Sequence, residues 1–160
     1  MGGSDDAMMR LAIAEAERAL AHGDVPVGAV AIVGGRVVAS RHNEREHHGD
    51  PTAHAEMLLL RDVAQAIGDW RMGAVTVIVT LEPCAMCAGA MVNGRVGRLV
   101  FGAYDPKAGA VGSLYNLCAD PRLNHEVPAI GGVLADECGA LLTSFFEARR
   151  ATDPGQRGST

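Results

Sequence analysis

Apolar positions follow two rhythms along this chain, and the places where one gives way to the other mark its elements. From Met8 to about His22, the apolar residues Met8, Leu11, Ala12, Ala16, Ala19 and Leu20 recur close to the spacing of an amphipathic helix. The β-branched runs Val27–Val33 and Arg36–Ser40 are joined by Gly34-Gly35, a two-residue turn rich in the residue that tolerates positive φ, and predict a hairpin. Arg41–Asp50 is polar, contains three histidines and reads as a surface loop. A helix is expected from about Ala53 to Ala66. Asp50 or Thr52 is its expected cap, because Pro51 biases Asp50 away from helical geometry. Val75–Thr80 reads as a buried strand, Cys84 to about Val92 as the helix that follows it, and Arg98–Gly102 as a further short strand. Ala103–Gly112 reads as a loop and Ser113–Leu117 as one helical turn. Glu126–Ile130 reads as an edge strand, since Pro128 is compatible only with an edge or a bulge. Val133–Arg150 closes the chain as a helix with Leu141, Leu142, Phe145 and Phe146 on its apolar face. Arg149 and Arg150 suit the negative end of its dipole. Helices alternating with strands after an opening hairpin predict a layered α/β domain with a mixed sheet.

Composition narrows the class. With 160 residues, 48% apolar and 21% charged, the chain suits one globular domain with a sizeable core and no second domain. The acidic start Met1–Asp6 lacks an apolar leader segment, and no apolar run reaches the ~18 residues of a membrane span. A cytoplasmic protein is the expectation. A net charge of -5 excludes binding to nucleic acid through overall charge, although a local patch remains open. Of 14 cationic residues only Lys107 is lysine; arginine suits phosphate forks and base stacking, and an arginine excess also follows from codon bias. The tail, residues 151–160, with Pro154, Gly155 and Gly158, is expected to be disordered.

Four cysteines change the picture further. In a reducing compartment, the Cys84-x-x-Cys87 spacing favours metal or redox chemistry over structural bridges. Cys118 and Cys138 read as buried thiols. Cysteines at i and i+3 at the start of a helix share one face, and the helix N-terminus favours their thiolates. With His54 they supply two sulfurs and one imidazole, three of the four ligands of a tetrahedral zinc ion, leaving one position open as in a catalytic site. Glu56, two residues beyond His54, is expected to point elsewhere on the helix and to serve as the base beside the metal. Two other readings compete. Cys-x-x-Cys opening a helix after a strand is also the setting of a thioredoxin-like dithiol oxidoreductase, in which the His-Ala-Glu stretch has no use. A closed structural zinc site would need a fourth ligand, with His42, His47 and His48 the nearest candidates.

H-x-E at His54-Ala55-Glu56 followed by P-C-x-x-C at Pro83–Cys87 is the signature of zinc nucleobase deaminases. Together with Val25–Val30, Asn43, Asp50–Glu56, Thr80–Met91, Arg98–Ala103 and Leu134–Cys138, it makes the chain resemble the bacterial tRNA-specific adenosine deaminase family from about Met8 to Arg150. The resemblance implies a zinc deaminase domain over residues 1–150 with the three-layer cytidine-deaminase-like fold, a mixed five-stranded sheet flanked by helices. It implies one zinc ion (Zn2+) per chain, a homodimer, and hydrolytic conversion of adenosine to inosine at the wobble position of a tRNA anticodon stem-loop. His54, Cys84 and Cys87 would be the ligands, Glu56 the proton shuttle and Asn43 a substrate-binding residue, although an asparagine in a polar loop is by default a turn residue. The signature itself fixes the reaction and leaves the base open, so guanine, cytosine or cytidine are the alternative substrates. Lys107, Arg149 and Arg150 are the cations expected to meet phosphate. The chain departs from the family pattern at Glu44-Arg45, where Arg-Pro is common, and at Asn93-Gly94, where His-Ser is common.

Overall fold

The computed structural model describes residues 2–152, with side chains described from Asp5 onward. Helix α1 (Gly2–Arg18) ends in a 3-10 turn (Ala19–His22) and leads to strands β1 (Gly28–Val33) and β2 (Arg36–His42). A single helical turn, α2 (Arg45–His48), precedes α3 (Ala55–Ile67), β3 (Thr76–Leu81), α4 (Ala85–Asn93) and β4 (Arg98–Ala103). A 3-10 turn (Leu117–Ala119), the short β5 (Ala129–Ile130) and α5 (Ala135–Thr152) complete the chain. Gly34 and Gly35, at φ 59° and 79°, make the β1–β2 turn that only residues free to adopt positive φ form cheaply.

The five strands form one mixed sheet in the order β2-β1-β3-β4-β5. β1 runs antiparallel to β2 and to β3, whereas β3, β4 and β5 are parallel. Strand alternation divides the core into two layers. Ala29, Ala31, Val77, Val79, Leu99 and Phe101 face Leu59 and Val63 of α3 and Met91 of α4. Val30, Ile78 and Val100 face the other way, onto Met9 and Ala12 of α1 and Cys138 of α5. β3 is therefore covered on both faces, which is why it reads as a continuous apolar run, Val-Ile-Val, rather than as an alternation. The three-layer fold with a mixed five-stranded sheet is the architecture expected from the sequence. Asp5 and Arg98, 93 residues apart, form a two-pronged ion pair that fastens α1 to the start of β4.

Several boundaries differ from the sequence expectation. The first helix begins before Met8, at Gly2, because the apolar stripe covers only the part that packs on the sheet. Arg41–Asp50 is not a plain surface loop: Arg41 and His42 extend β2, and Arg45–His48 form a helical turn. Asp24 explains that turn, since its carboxylate accepts the free backbone N–H groups of Glu46 and His47 from a part of the chain that no local pattern reveals. The helical turn expected at Ser113–Leu117 lies instead at Leu117–Ala119, and Val111 and Asn116 form a bridge before it. Only Ala129 and Ile130 of the expected Glu126–Ile130 strand pair with β4, beyond Pro128. Ala151 and Thr152, expected in a disordered tail, continue α5, and the rest of that tail lies outside the described residues.

Candidate functional site

The carboxyl end of β3 and the amino ends of α3 and α4 meet at one corner of the sheet, where α/β proteins place their ligands. His54 is the N-cap of α3, with extended φ and ψ of -70° and 150°, and Cys84 is the N-cap of α4, at -74° and 176°. Both stand one step outside their helices. The expected caps act otherwise: Asp50 accepts the backbone N–H and hydroxyl of Thr52, closing the turn before His54. Because His54 precedes the helix, it and Glu56 do not diverge as two residues within a helix would; both line the same cavity.

His54 Nδ1 lies 3.6 Å from Cys84 Sγ and 3.6 Å from Cys87 Sγ, and the three ligand atoms all lie within 4.8 Å of one another. Zinc bonds of about 2.3 Å to sulfur and 2.0–2.1 Å to nitrogen at tetrahedral angles place nitrogen and sulfur roughly 3.6 Å apart. Both nitrogen–sulfur separations therefore match those around such an ion. Among the described residues no fourth histidine, cysteine or carboxylate joins this group, and His42 belongs to a separate cluster, so a closed four-ligand site is not formed here. The electrostatics agree with the chemistry of the set. The Cys87 thiol, hydrogen-bonded to Cys84 and helped by His54, holds Cys84 down at about 3, already a thiolate. Cys87 is pushed up because its proton serves that thiolate and because it is buried. His54 is raised by its bond to Cys84. A divalent cation held among them would supply the charge that lets both sulfurs ionise.

Glu56 is buried at 4% exposure in the first turn of α3. Burial pushes its carboxyl up from the usual range, so it holds a proton more readily than a surface carboxylate. Asn43 is also buried, at 7%. It is both a turn residue and a cavity wall: Oδ1 accepts the backbone N–H of Arg45, Nδ2 donates to the carbonyl of Val25, and the side chain lines the cavity. One amide hydrogen and one lone pair remain for a ligand. The cavity encloses about 200 Å³ between Val25, Val27, Ala55, Leu81 and Ala108 on the apolar side and Asn43, His54, Glu56 and Cys84 on the polar side. That is below the roughly 300 Å³ at which drug-sized pockets begin, a size for one base rather than a larger ligand.

Glu82, to which the motif spacing assigns no task, organises the far wall. It is 2% exposed and accepts backbone N–H groups of Asp105, Val111 and Ser113 together with the Ser113 hydroxyl. Burial alone would push this carboxyl up; the Ser113 hydroxyl and the three N–H groups outweigh it and hold it below the usual range. The 105–113 loop is thereby clamped over Pro83 and Cys84, with Ala110 N–H bonded to the Pro83 carbonyl. Gly109 is required for the close approach, since a Cβ there would meet the Glu82 carboxylate at 2.3–2.4 Å. The sequence does contain a signal for this role: a carboxylate between Leu81 and Pro83, directly after a β-branched, apolar run.

A second cavity adjoins the first through the shared walls Val25, Leu81 and Asp105, and is lined further on by Lys107, Leu142, Phe146 and Arg150. Lys107 and Arg150 are thus brought beside the site. Arg149 is not among its lining residues; its guanidinium lies over the Phe145 ring, 5.6 Å from the centroid. Glu44 points away from the cavity to bond Arg41 and His48, whereas Arg45 lines it. Asn93 and Gly94 end α4, away from the cavity.

Residues 3–150 match the family of MafB19-like deaminases. The chain is 47% identical over 146 residues to a tRNA-specific adenosine deaminase of Bacillus subtilis, covering 91% of each protein. It is 46% identical over 147 residues to a tRNA-specific adenosine deaminase of Haemophilus influenzae, covering 91% of this chain and 85% of the relative. This chain belongs to the tRNA-specific adenosine deaminase family. A solved structure from work on A-to-I editing by tRNA:A34 deaminases superposes with a TM-score of 0.82 at 39% identity, covering 85% of this chain and 99% of that one. A guanine deaminase from Nitrosomonas europaea, 21% identical with a TM-score of 0.76 over 88% of this chain and 83% of its own, shares the fold. As a deaminase the chain is a hydrolase, and the thioredoxin-like reading of Cys84 and Cys87 is set aside. Among the described residues no helix is long and apolar enough to cross a membrane.

Proposed function

We propose that this protein converts adenosine to inosine at the wobble position of tRNA by zinc-dependent hydrolytic deamination. The observation that carries the proposal is the meeting of His54 Nδ1, Cys84 Sγ and Cys87 Sγ beside the buried Glu56, in a chain similar over nine-tenths of its length to tRNA-specific adenosine deaminases. These three residues would hold one zinc ion, which when bound would supply a Lewis acid for activating water near neutral pH. Glu56 would carry one proton of the attacking water to N1 of the purine as C6 becomes tetrahedral, and then the second, from the hydroxyl now on C6, to the amine, which leaves as ammonia as the C6–N bond breaks and the C6 carbonyl forms. Its burial suits it to carry a proton between those atoms. Asn43 uses its remaining donor and acceptor to fix the purine edge, and Val25, Val27 and Leu81 keep bulk water from the ring. An anticodon loop presents its base already single-stranded, so turning the base into the cavity costs little.

Lys107 and Arg150 along the adjoining groove meet the flanking phosphates of the anticodon stem-loop, which gives an acidic chain the local positive charge it needs. The enzyme acts as a homodimer in the cytoplasm. The test is turnover of an adenosine-wobble anticodon stem-loop against free guanine, cytosine and cytidine. The stem-loop is the expected substrate. Glu56→Ala is expected to keep zinc and substrate binding while losing at least ~10²-fold in turnover. Lys107→Ala and Arg150→Ala should each flatten the log-log salt dependence of binding by about 0.7–0.9. Rapid turnover of a free base with a flat salt response would overturn the tRNA substrate, and loss of zinc from Glu56→Ala would overturn the role of the carboxylate.

A further inference from the structure

A second cluster of metal-ligating side chains lies behind the Asn43 wall. A ring nitrogen of His22, a ring nitrogen of His42 and a carboxylate oxygen of Glu44 lie within 4.8 Å of one another. Each imidazole is held from behind by a carboxylate. His22 Nδ1 is 2.6 Å from Asp24 Oδ2, a fully buried group, and His42 Nδ1 is 3.2 Å from Glu15 Oε2, 7% exposed. Carboxylate on one ring nitrogen with the other left free is the arrangement that orients a histidine toward a metal. His22 Nε2 is the one buried side-chain nitrogen or oxygen among the described residues that has no hydrogen-bond partner. His42 Nε2 lies 3.7 Å from Glu44 Oε1, while Glu44 Oε2 is occupied by Arg41 and His48. The carboxylates of Glu15, Asp24, Glu44 and Asp62 surround the cluster, and the guanidiniums paired with them are those of Arg18 and Arg41.

We propose that His22, His42 and Glu44 form a second site for a divalent transition-metal ion of the zinc class, distinct from the Cys84–Cys87 centre. Two imidazoles and one carboxylate suit zinc, cobalt or nickel and lack the soft sulfur donors of the thiolate site. Ligand atoms on a tetrahedral zinc ion lie roughly 3.3 Å apart, so the trio, within 4.8 Å, would draw closer on binding. The position gives the ion a task. Asp24 precedes Val25, and Glu44 follows Asn43, and both Val25 and Asn43 line the catalytic cavity. An ion joining His22 to His42 and Glu44 fastens together the two segments that form that wall.

The experiment starts from the full-length protein with zinc already in its thiolate site and adds cobalt(II) as the probe. Metal analysis after gel filtration is expected to give one zinc and one cobalt per chain, with visible cobalt absorption that lacks a sulfur-to-metal charge-transfer band. His22→Gln and His42→Gln are expected to retain the zinc and lose the cobalt. Glu15→Gln, which leaves both imidazoles in place, should retain the zinc and weaken cobalt binding about 10–100-fold. His47→Gln, which removes a ring stacked on His22 but no member of the trio, should bind cobalt like the wild type. A wild-type protein that takes up no cobalt beyond its zinc overturns the proposal, as does undiminished cobalt binding by His22→Gln and His42→Gln.

Discussion

The start of α4 and the two core layers on either side of the sheet each contain cysteines, and they treat the same thiol in opposite ways. Cys84 stands outside the first turn of a helix, half-buried and facing a histidine and a second thiol, and is held at about 3. Cys118 and Cys138 are each 1% exposed with apolar surroundings, and burial pushes both up to about 11. The intrinsic group is identical. What differs is whether the charged form has partners, and here partners outweigh partial burial on one side while burial dominates on the other.

Removing a thiol from each region gives the widest expected separation. Cys87→Ala should lose the bound metal and much of the stability that the metal confers, whereas Cys138→Ala should keep its metal and cost about 1 kcal/mol, read by metal analysis and denaturant unfolding. Equal metal content in the two variants would break the comparison.

Glu82 sharpens it, because this residue connects the cysteine-bearing turn to the loop after β4. Glu82→Gln replaces an acceptor of several hydrogen bonds with an amide that turns donors toward donors, and should destabilise by about 1–3 kcal/mol at neutral pH. The carboxyl is depressed in the folded state, so its contribution is full above the ordinary carboxylate range and is lost as pH falls through the folded value. The gap in stability between wild type and Glu82→Gln should therefore narrow in acid. A constant gap from neutral pH to strongly acid pH would remove the loop-clamping role.

The smallest effect is on reactivity. In the native protein at neutral pH, Cys118 and Cys138 should be almost inert to alkylation, since raised thiols stay protonated, and reactivity should appear only as pH approaches about 11. Mass-spectrometric mapping of modified peptides reads this directly, and fast labelling of either residue at neutral pH would contradict the burial argument.

Much of this site is legible in the amino-acid sequence. Cys-x-x-Cys after an apolar run, with His-Ala-Glu upstream, carries its chemistry in the spacing itself, and the β3 run announces a strand buried on both faces. The strand alternation, the hairpin glycines and the α5 apolar face are local signals of the same kind. What the sequence alone determined was therefore the element order and the donor types, because period, turn chemistry and ligand spacing act within a few residues. Tertiary structure decided the rest. It moved His54 and Cys84 out of their helices to become caps, and converted a polar loop into an extension of β2 and the turn α2, held by the distant Asp24. It also gave Glu82 its clamped loop and brought His22 to His42 and Glu44. Each of these depends on contacts between residues roughly 20 to 30 positions apart, whose meeting is fixed by sheet order and packing and leaves no period in the chain.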